Sequence, residues 1–224
     1  MRILINHLKI PLYSLVIAGF SLANAGSYDD FFRAIIRDDA RSLNSLIQRG
    51  FDPNTLAPDL RHGLMMALSL PEPSWVAAQA LVSAPGTDLN FRNAEGETPL
   101  MLAALKGQLS LAAQMIERGA DVNQPGWTPL HYAATGGVPA MVGLMLKHHA
   151  FVDAESPNGT TPLMMAAQYG SPEAVKLLLD AGAQPQQKNQ QGLNAMDFAQ
   201  RGARPDAVKI IGAALRPQTG PGKW

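Results

Sequence analysis

Apolar positions in this chain come in short bursts, each closed by glycine and a polar stretch, and the same order returns several times. The burst Ala174-Val175-Lys176-Leu177-Leu178-Leu179 carries one apolar stripe, which predicts the buried face of a short helix. Upstream of it, Thr161-Pro162 places an N-cap hydroxyl before a residue whose fixed φ suits the first helical position, so another helix is predicted to start there. The small pair Ala166-Ala167 lets neighbouring helices approach, and Gly170 breaks that first helix. Gly182 then ends the second by accepting the left-handed conformation. The predicted unit is a helix pair followed by an extended turn, with a buried face that only the next unit completes.

The unit repeats. Gly159-Thr160-Thr161-Pro162-Leu163 has counterparts in Gly96-Glu97-Thr98-Pro99-Leu100 and Gly126-Trp127-Thr128-Pro129-Leu130, with Gly192-Leu193-Asn194-Ala195-Met196 as a decayed copy. Thr128 to Thr161 and Thr161 to Asn194 are 33 residues each. A second series in the same phase marks the far end of each unit: Arg49-Gly50-Phe51-Asp52-Pro53-Asn54, Thr87-Asp88-Leu89-Asn90, Arg118-Gly119-Ala120-Asp121-Val122-Asn123 and Ala181-Gly182-Ala183. A fixed period of this length decides architecture before local propensity does.

At Thr128-Pro129-Leu130-His131-Tyr132-Ala133-Ala134 and Arg118-Gly119-Ala120-Asp121-Val122-Asn123 the chain resembles the ankyrin repeat. The resemblance implies an all-α solenoid of about six helix-turn-helix units with β-turn fingers. The units fall at about 28–57, 58–91, 92–123, 124–154, 155–187 and 188–216, within a domain spanning 26–216. The second is degenerate, with Met65-Met66 where Thr-Pro belongs, and the outer two read as caps. In such repeats His131 braces the turn by hydrogen bonding, and Met101, Met115, Met145, Met164 and Met165 fill the core between units.

This copy departs from the period in three places. The Asp153–Gly159 finger encloses five residues, but Asn123 and Gly126 enclose only Gln124 and Pro125, which predicts a shortened finger, a notch, and an exposed Trp127 beside it. Asn54 to Asn90 is 36 residues, so the finger around Thr55 to Arg61 is predicted to be longer by three. His149 stands where Gly119 and Gly182 stand in other units, a position that favours positive φ.

The N-terminus orders Arg2 and Lys9, an apolar run from Ile10 to Leu22, and Ala23-Asn24-Ala25, the pattern of a secretory leader cleaved after Ala25. That reading makes 1–25 a signal peptide and the mature chain periplasmic or secreted. The run is too short and too interrupted, by Pro11 and Ser14, for a membrane span, and no later stretch is long enough. The Gly- and Pro-rich tail 217–224 is predicted to be flexible.

Charge and chemistry narrow the function by exclusion. Basic and acidic side chains number 18 each, and loss of Arg2 and Lys9 leaves 16 against 18, so no summed field draws the chain to nucleic acid. Without cysteine there is no disulfide, thiol nucleophile or thiolate metal site. No phosphate-cradling loop, His-Glu-x-x-His or Gly-x-Ser-x-Gly motif is present, so the chain reads as no enzyme, with no cofactor and no metal. His148-His149 invites a metal or haem reading, but adjacent residues at a helix end point apart and no third ligand lies at a recognised spacing. Asp29-Asp30 and Asp38-Asp39 read as solvated charge at the end of the array.

The resemblance then implies a monomeric module that binds a partner protein through its concave face and finger tips. By phase, the candidate contacts are Arg92, Glu95, Glu97, Lys106, Trp127, Thr135, Asn158, Thr160, Gln168, Tyr169, Lys188, Gln190, Gln191 and Arg201. Trp127, Tyr169, Arg92 and Arg201 weigh most, because binding energy concentrates in aromatic and Arg side chains. The alternative, implied by similarity to exported bacterial ankyrin proteins associated with catalase function, is a periplasmic accessory of oxidative defence or of haem delivery to a catalase-type enzyme.

Overall fold

The computed structural model describes residues 22–216. The leader expected over 1–25 falls almost wholly outside them, as does the tail 217–224. Twelve helices lie in this span: α1 Leu22–Ile36, α2 Ala40–Gln48, α3 Gly63–Ser69, α4 Trp75–Ser83, α5 Pro99–Leu105, α6 Leu109–Glu117, α7 Pro129–Gly136, α8 Pro139–Lys147, α9 Pro162–Tyr169, α10 Pro172–Asp180, α11 Ala195–Arg201 and α12 Pro205–Ala214. No strand occurs among the described residues, the nearest being an isolated antiparallel bridge between Leu56 and His62. Each odd-numbered helix packs on the next odd-numbered one and on its own partner, and each even-numbered helix packs on the next even-numbered one. Six helix pairs are thus stacked in two rows.

The Thr-Pro steps do what their chemistry predicts. Thr98, Thr128 and Thr161 are N-caps in extended conformation, and Pro99, Pro129 and Pro162 open α5, α7 and α9. The alanine pairs 103–104, 133–134 and 166–167 are buried between first helices. A continuous apolar core runs from Phe31 to Ile211, so every unit shares its interior with its neighbours.

The second series acts as a ladder between units. Asn54 Nδ2 donates to the Gly86 carbonyl at 2.8 Å while its Oδ1 accepts from the Asp88 amide at 2.7 Å. Asn90 repeats this with Gly119 and Asp121 at 3.1 and 2.8 Å, and Asn123 with His149 and Phe151 at 2.8 and 2.9 Å. Asp153, which has no amide to donate, keeps half of the pair by accepting from the Gln184 amide at 3.0 Å. The acceptor carbonyl in the second and third rungs belongs to a left-handed residue: Gly119 has φ 93° and His149 has φ 63°.

Gly170 ends α9 as its place in the sequence predicts, at an ordinary φ of −78°, and a Cβ there would strike the Ala134 carbonyl oxygen of α7 and the Ala166 backbone. Two expectations are corrected by packing. In the degenerate second unit the Thr-Pro slot is filled by His62-Gly63, not Met65-Met66, since α3 starts at Gly63. A Cβ on Gly63 would lie 2.9 Å from the Phe31 ring, which leaves no room for proline. Asp38 and Asp39 are caps rather than idle surface charge: Asp39 Oδ1 accepts from the Ser42 amide in α2, and Asp38 Oδ1 accepts from the Ala77 amide in α4 at 2.7 Å.

Candidate functional site

On the wall made by the fingers and first helices, two clefts trace to departures from the period. The finger lengthened by three residues closes on itself through Ala57 N–H to the Arg61 carbonyl at 2.9 Å, with Leu60 forced to φ 63° at its tip. Leu60 is 72% exposed and Leu56 is also exposed. Between this finger and the next lies a cleft of about 670 Å³ lined by Leu56, Leu60, Met65, Phe91 and Leu102 and by Asp59, Arg61, Arg92, Glu95 and Glu97. His62 sits against it, buried, stacked on Phe91 at 4.7 Å. Its Nε2 meets Asn54 Oδ1 at 3.2 Å and its Nδ1 has no partner. Burial, outweighing the nearby Asp88 and Asp52 carboxylates, holds this imidazole below its ordinary pKa.

The shortened finger shapes the second cleft. Other fingers close with a backbone bond across four residues, Asn93 N–H to Glu97 O, Ser156 N–H to Thr160 O and Asn189 N–H to Leu193 O. Here two residues cannot form that turn, and the Gln124 side chain folds inward to supply the bond, its Nε2 donating to the Trp127 carbonyl at 2.9 Å. Trp127 is therefore half-buried rather than exposed, its ring edge-on to His131 at 5.1 Å. It borders a cleft of about 230 Å³ with Leu105, His131, Tyr132, Thr135 and Met165. Met165 is half-buried, packed against the core on one side and lining the cleft on the other, whereas Met101, Met115, Met145 and Met164 are buried. Across the notch a shallow cleft of about 410 Å³ separates Pro125 from Phe151, which is 68% exposed.

His131 is the brace of this region. It is fully buried, accepts from the Thr128 amide at Nδ1 (3.1 Å), and reaches the Thr160 carbonyl with Nε2 at 2.9 Å. Burial pushes its pKa down to about 4, so the ring is neutral and Nε2 carries the donated proton. Tyr132 donates its hydroxyl to Glu97 Oε1 at 2.8 Å, and Glu97 Oε2 accepts from Asn93 Nδ2 at 2.8 Å. Burial first, then the Glu97 carboxylate, raises the tyrosine pKa and keeps the phenol protonated.

Of the residues singled out by phase, Trp127 and Thr135 share the smaller cleft, and Arg92, Glu95 and Glu97 share the larger. Tyr169 is 53% exposed. Lys106, Lys188, Gln191 and Arg201 are exposed and Gln168 half-buried, with no side-chain hydrogen bond to another residue. Asn158 and Gln190 are exposed but tied down, Asn158 within its finger through the contact to Ser156 Oγ and Gln190 across to the preceding finger through the bond to the Pro157 carbonyl. Thr160 is 2% exposed, with its carbonyl on His131 and its amide on Ser156 Oγ, so it is framework and cannot meet a partner.

Leu105, Tyr132 and Met165 were missed, and the periodicity could have found them. Leu105, Thr135 and Gln168 each lie seven residues after the cap threonine, while Leu102, Tyr132 and Met165 each lie four after it. Residues three apart share a helix face, so the two phases line one wall. His148 is half-buried and His149 exposed, and no group of three or more His, Cys, Asp or Glu residues converges among the described residues.

The family model described as ankyrin repeats (3 copies) matches residues 31–156 and 136–215. Similar proteins include Ankyrin repeat and SAM domain-containing protein 6 of Rattus norvegicus, 32% identical over 112 residues, 48% of this chain and 12% of that protein. The E3 ubiquitin-protein ligase Ufd4 of Drosophila melanogaster is 36% identical over 84 residues, 37% of this chain and 3% of its own length. The 2-5A-dependent ribonuclease of Mus musculus is 38% identical over 69 residues, 29% of this chain and 9% of that protein. The chain thus spans a small part of each of these relatives. With the family match running from the first helix pair to the last, and the asparagine ladder and Thr-Pro caps recurring in its phase, this chain belongs to the ankyrin repeat family.

Proposed function

We propose that this chain is a non-enzymatic binding module whose partner protein docks on the concave wall of fingers and first helices, around Trp127, Tyr132 and Tyr169. The observation that carries this reading is the cleft at Leu105, Trp127, Tyr132 and Met165, where large apolar and aromatic side chains line a depression on the wall. Aromatic side chains at the centre of a docking surface supply most of its affinity. The shared stretch in proteins named for activities as different as a ligase and a ribonuclease is the repeat, which supports a part that binds while other parts react. A photoreactive group placed at Tyr169 is expected to capture a partner in intact cells that the same group at Lys176, on α10, does not. With the captured protein in hand, Trp127→Ala or Tyr169→Ala is expected to weaken binding by ~2 kcal/mol or more. Equal affinity of both variants and the parent would remove the surface from this wall.

Export belongs to the same proposal and rests on the order of Arg2, Lys9, the run Ile10 to Leu22 and Ala23-Asn24-Ala25. N-terminal sequencing of the protein purified from its natural source is expected to begin at Gly26. A first residue upstream of Ile10 would refute the leader.

A further inference from the structure

We infer that the cleft beside Trp127 accepts one basic side chain of the partner, Arg or Lys, with its stem over Trp127 and Tyr132 and its charged head at Glu97. This rests on the concave-wall reading above and names the chemistry that wall selects. Size comes first: about 230 Å³ lies below the usual range of small-molecule sites and fits a single inserted side chain. Lining comes second, because an aromatic pair favours a cation over its ring faces as well as an apolar stem.

Charge decides between partners. Glu97 is half-buried, and its two oxygens are held by the neutral donors Tyr132 Oη and Asn93 Nδ2. Among the described residues no cation pairs with it or with Glu95; Arg92 and Lys106, nearby along the chain, make no ion pair. An apolar partner would strip water from that carboxylate and return nothing, and an acidic one would add repulsion from Glu95 and Glu97. A guanidinium or ammonium supplies the missing counter-charge while its methylenes cover Leu105 and the rings. The bond from Tyr132 to Glu97 joins the apolar floor to the charged rim, so both contacts fall within one side chain's span.

The test selects random linear peptides by phage display on the intact chain, then measures synthetic copies by fluorescence anisotropy against the parent, Glu97→Gln, Trp127→Ala and Tyr169→Ala. Glu97→Gln keeps the shape and removes the charge, its amide oxygen still accepting from Asn93 Nδ2 and its Nε2 donating to Tyr132 Oη in place of the bond it accepts now; its melting temperature serves as the control for folding. The expected peptides share an Arg or Lys beside an aliphatic residue. Replacing that residue by norleucine and replacing Glu97 by Gln should each weaken binding at least about tenfold, and the two together no more than either alone. Peptides that need Trp127 but ignore Glu97→Gln, or that carry acidic or purely apolar anchors, would overturn the basic side chain and leave the wall standing. Peptides indifferent to Trp127→Ala and to Tyr169→Ala would overturn the wall itself, and recovery of no binder counts against both.

Discussion

His131 Nε2 donates to the carbonyl oxygen of Thr160 at 2.9 Å, tying the fourth helix pair to the finger of the fifth. The bond needs a neutral ring whose Nδ1 accepts from Thr128, and burial lowers the folded pKa to about 4 from the ordinary value of about 6.5. The unfolded chain therefore takes up a proton first. Stability from this group is fully present above pH ~6.5, falls as the pH drops toward ~4, and changes no further below that, a total of roughly 3 kcal/mol. His62, also lowered by burial, acts in the same direction. Urea unfolding at closely spaced pH values is expected to show this decline, and His131→Gln should reduce the slope between pH 6 and 5 by about one proton. An identical slope in the variant would mean that His131 does not titrate as buried.

Met101 occupies the place in α5 that His131 occupies in α7, three residues after the cap threonine. A thioether cannot donate, so the Trp127 carbonyl would lack the bond that His131 gives Thr160; Gln124 makes it instead. Gln124→Ala is expected to destabilise the fold by about 1–2 kcal/mol and to loosen Trp127, seen as a lower melting temperature and a shift in tryptophan emission. No change in either would mean that water serves that carbonyl as well as the glutamine does.

His149 holds φ 63° where Gly119 and Gly182 hold 93° and 96°. Its side chain is exposed, and the group it contributes to the ladder is the backbone carbonyl that receives Asn123. Glycine would keep that carbonyl and relieve the crowding of a Cβ in the left-handed region, so His149→Gly is expected to stabilise by on the order of 1 kcal/mol. A lower melting temperature would show that the imidazole makes a compensating contact.

The repeat phase made most of the fold legible, because the Thr-Pro caps, alanine pairs and left-handed glycines are local rules that each unit obeys by itself. The His62-Gly63 start of the second unit was hidden, since its cause is the Phe31 ring of the preceding unit and not anything in its own sequence. The clefts were legible as insertions and deletions of three residues, but not their linings. Gln124 gave no sign that it would turn inward, and the bond from Tyr132 to Glu97 joins residues 35 apart that only stacking brings together.

Gly170 and Gly182 look alike in sequence, as glycines that follow a helix, and the structure separates them. A Cβ at Gly170 would run into the Ala134 carbonyl oxygen of the neighbouring first helix, while a Cβ at Gly182 meets nothing within 4 Å and is opposed only by φ 96°. Gly182→Ala is therefore expected to cost about 1 kcal/mol, the local price of the left-handed conformation. Gly170→Ala must push α9 away from α7 along the row that carries the clefts, a strain of about 1–3 kcal/mol. The displacement would also widen the Trp127 cleft, so the Gly170 variant is expected to lose affinity for a wall-binding ligand at temperatures where it remains folded, whereas the Gly182 variant keeps it. Chemical denaturation ranks the two stabilities and binding at low temperature separates the two effects; equal losses in both would mean that the first-helix row is not held by close backbone approach.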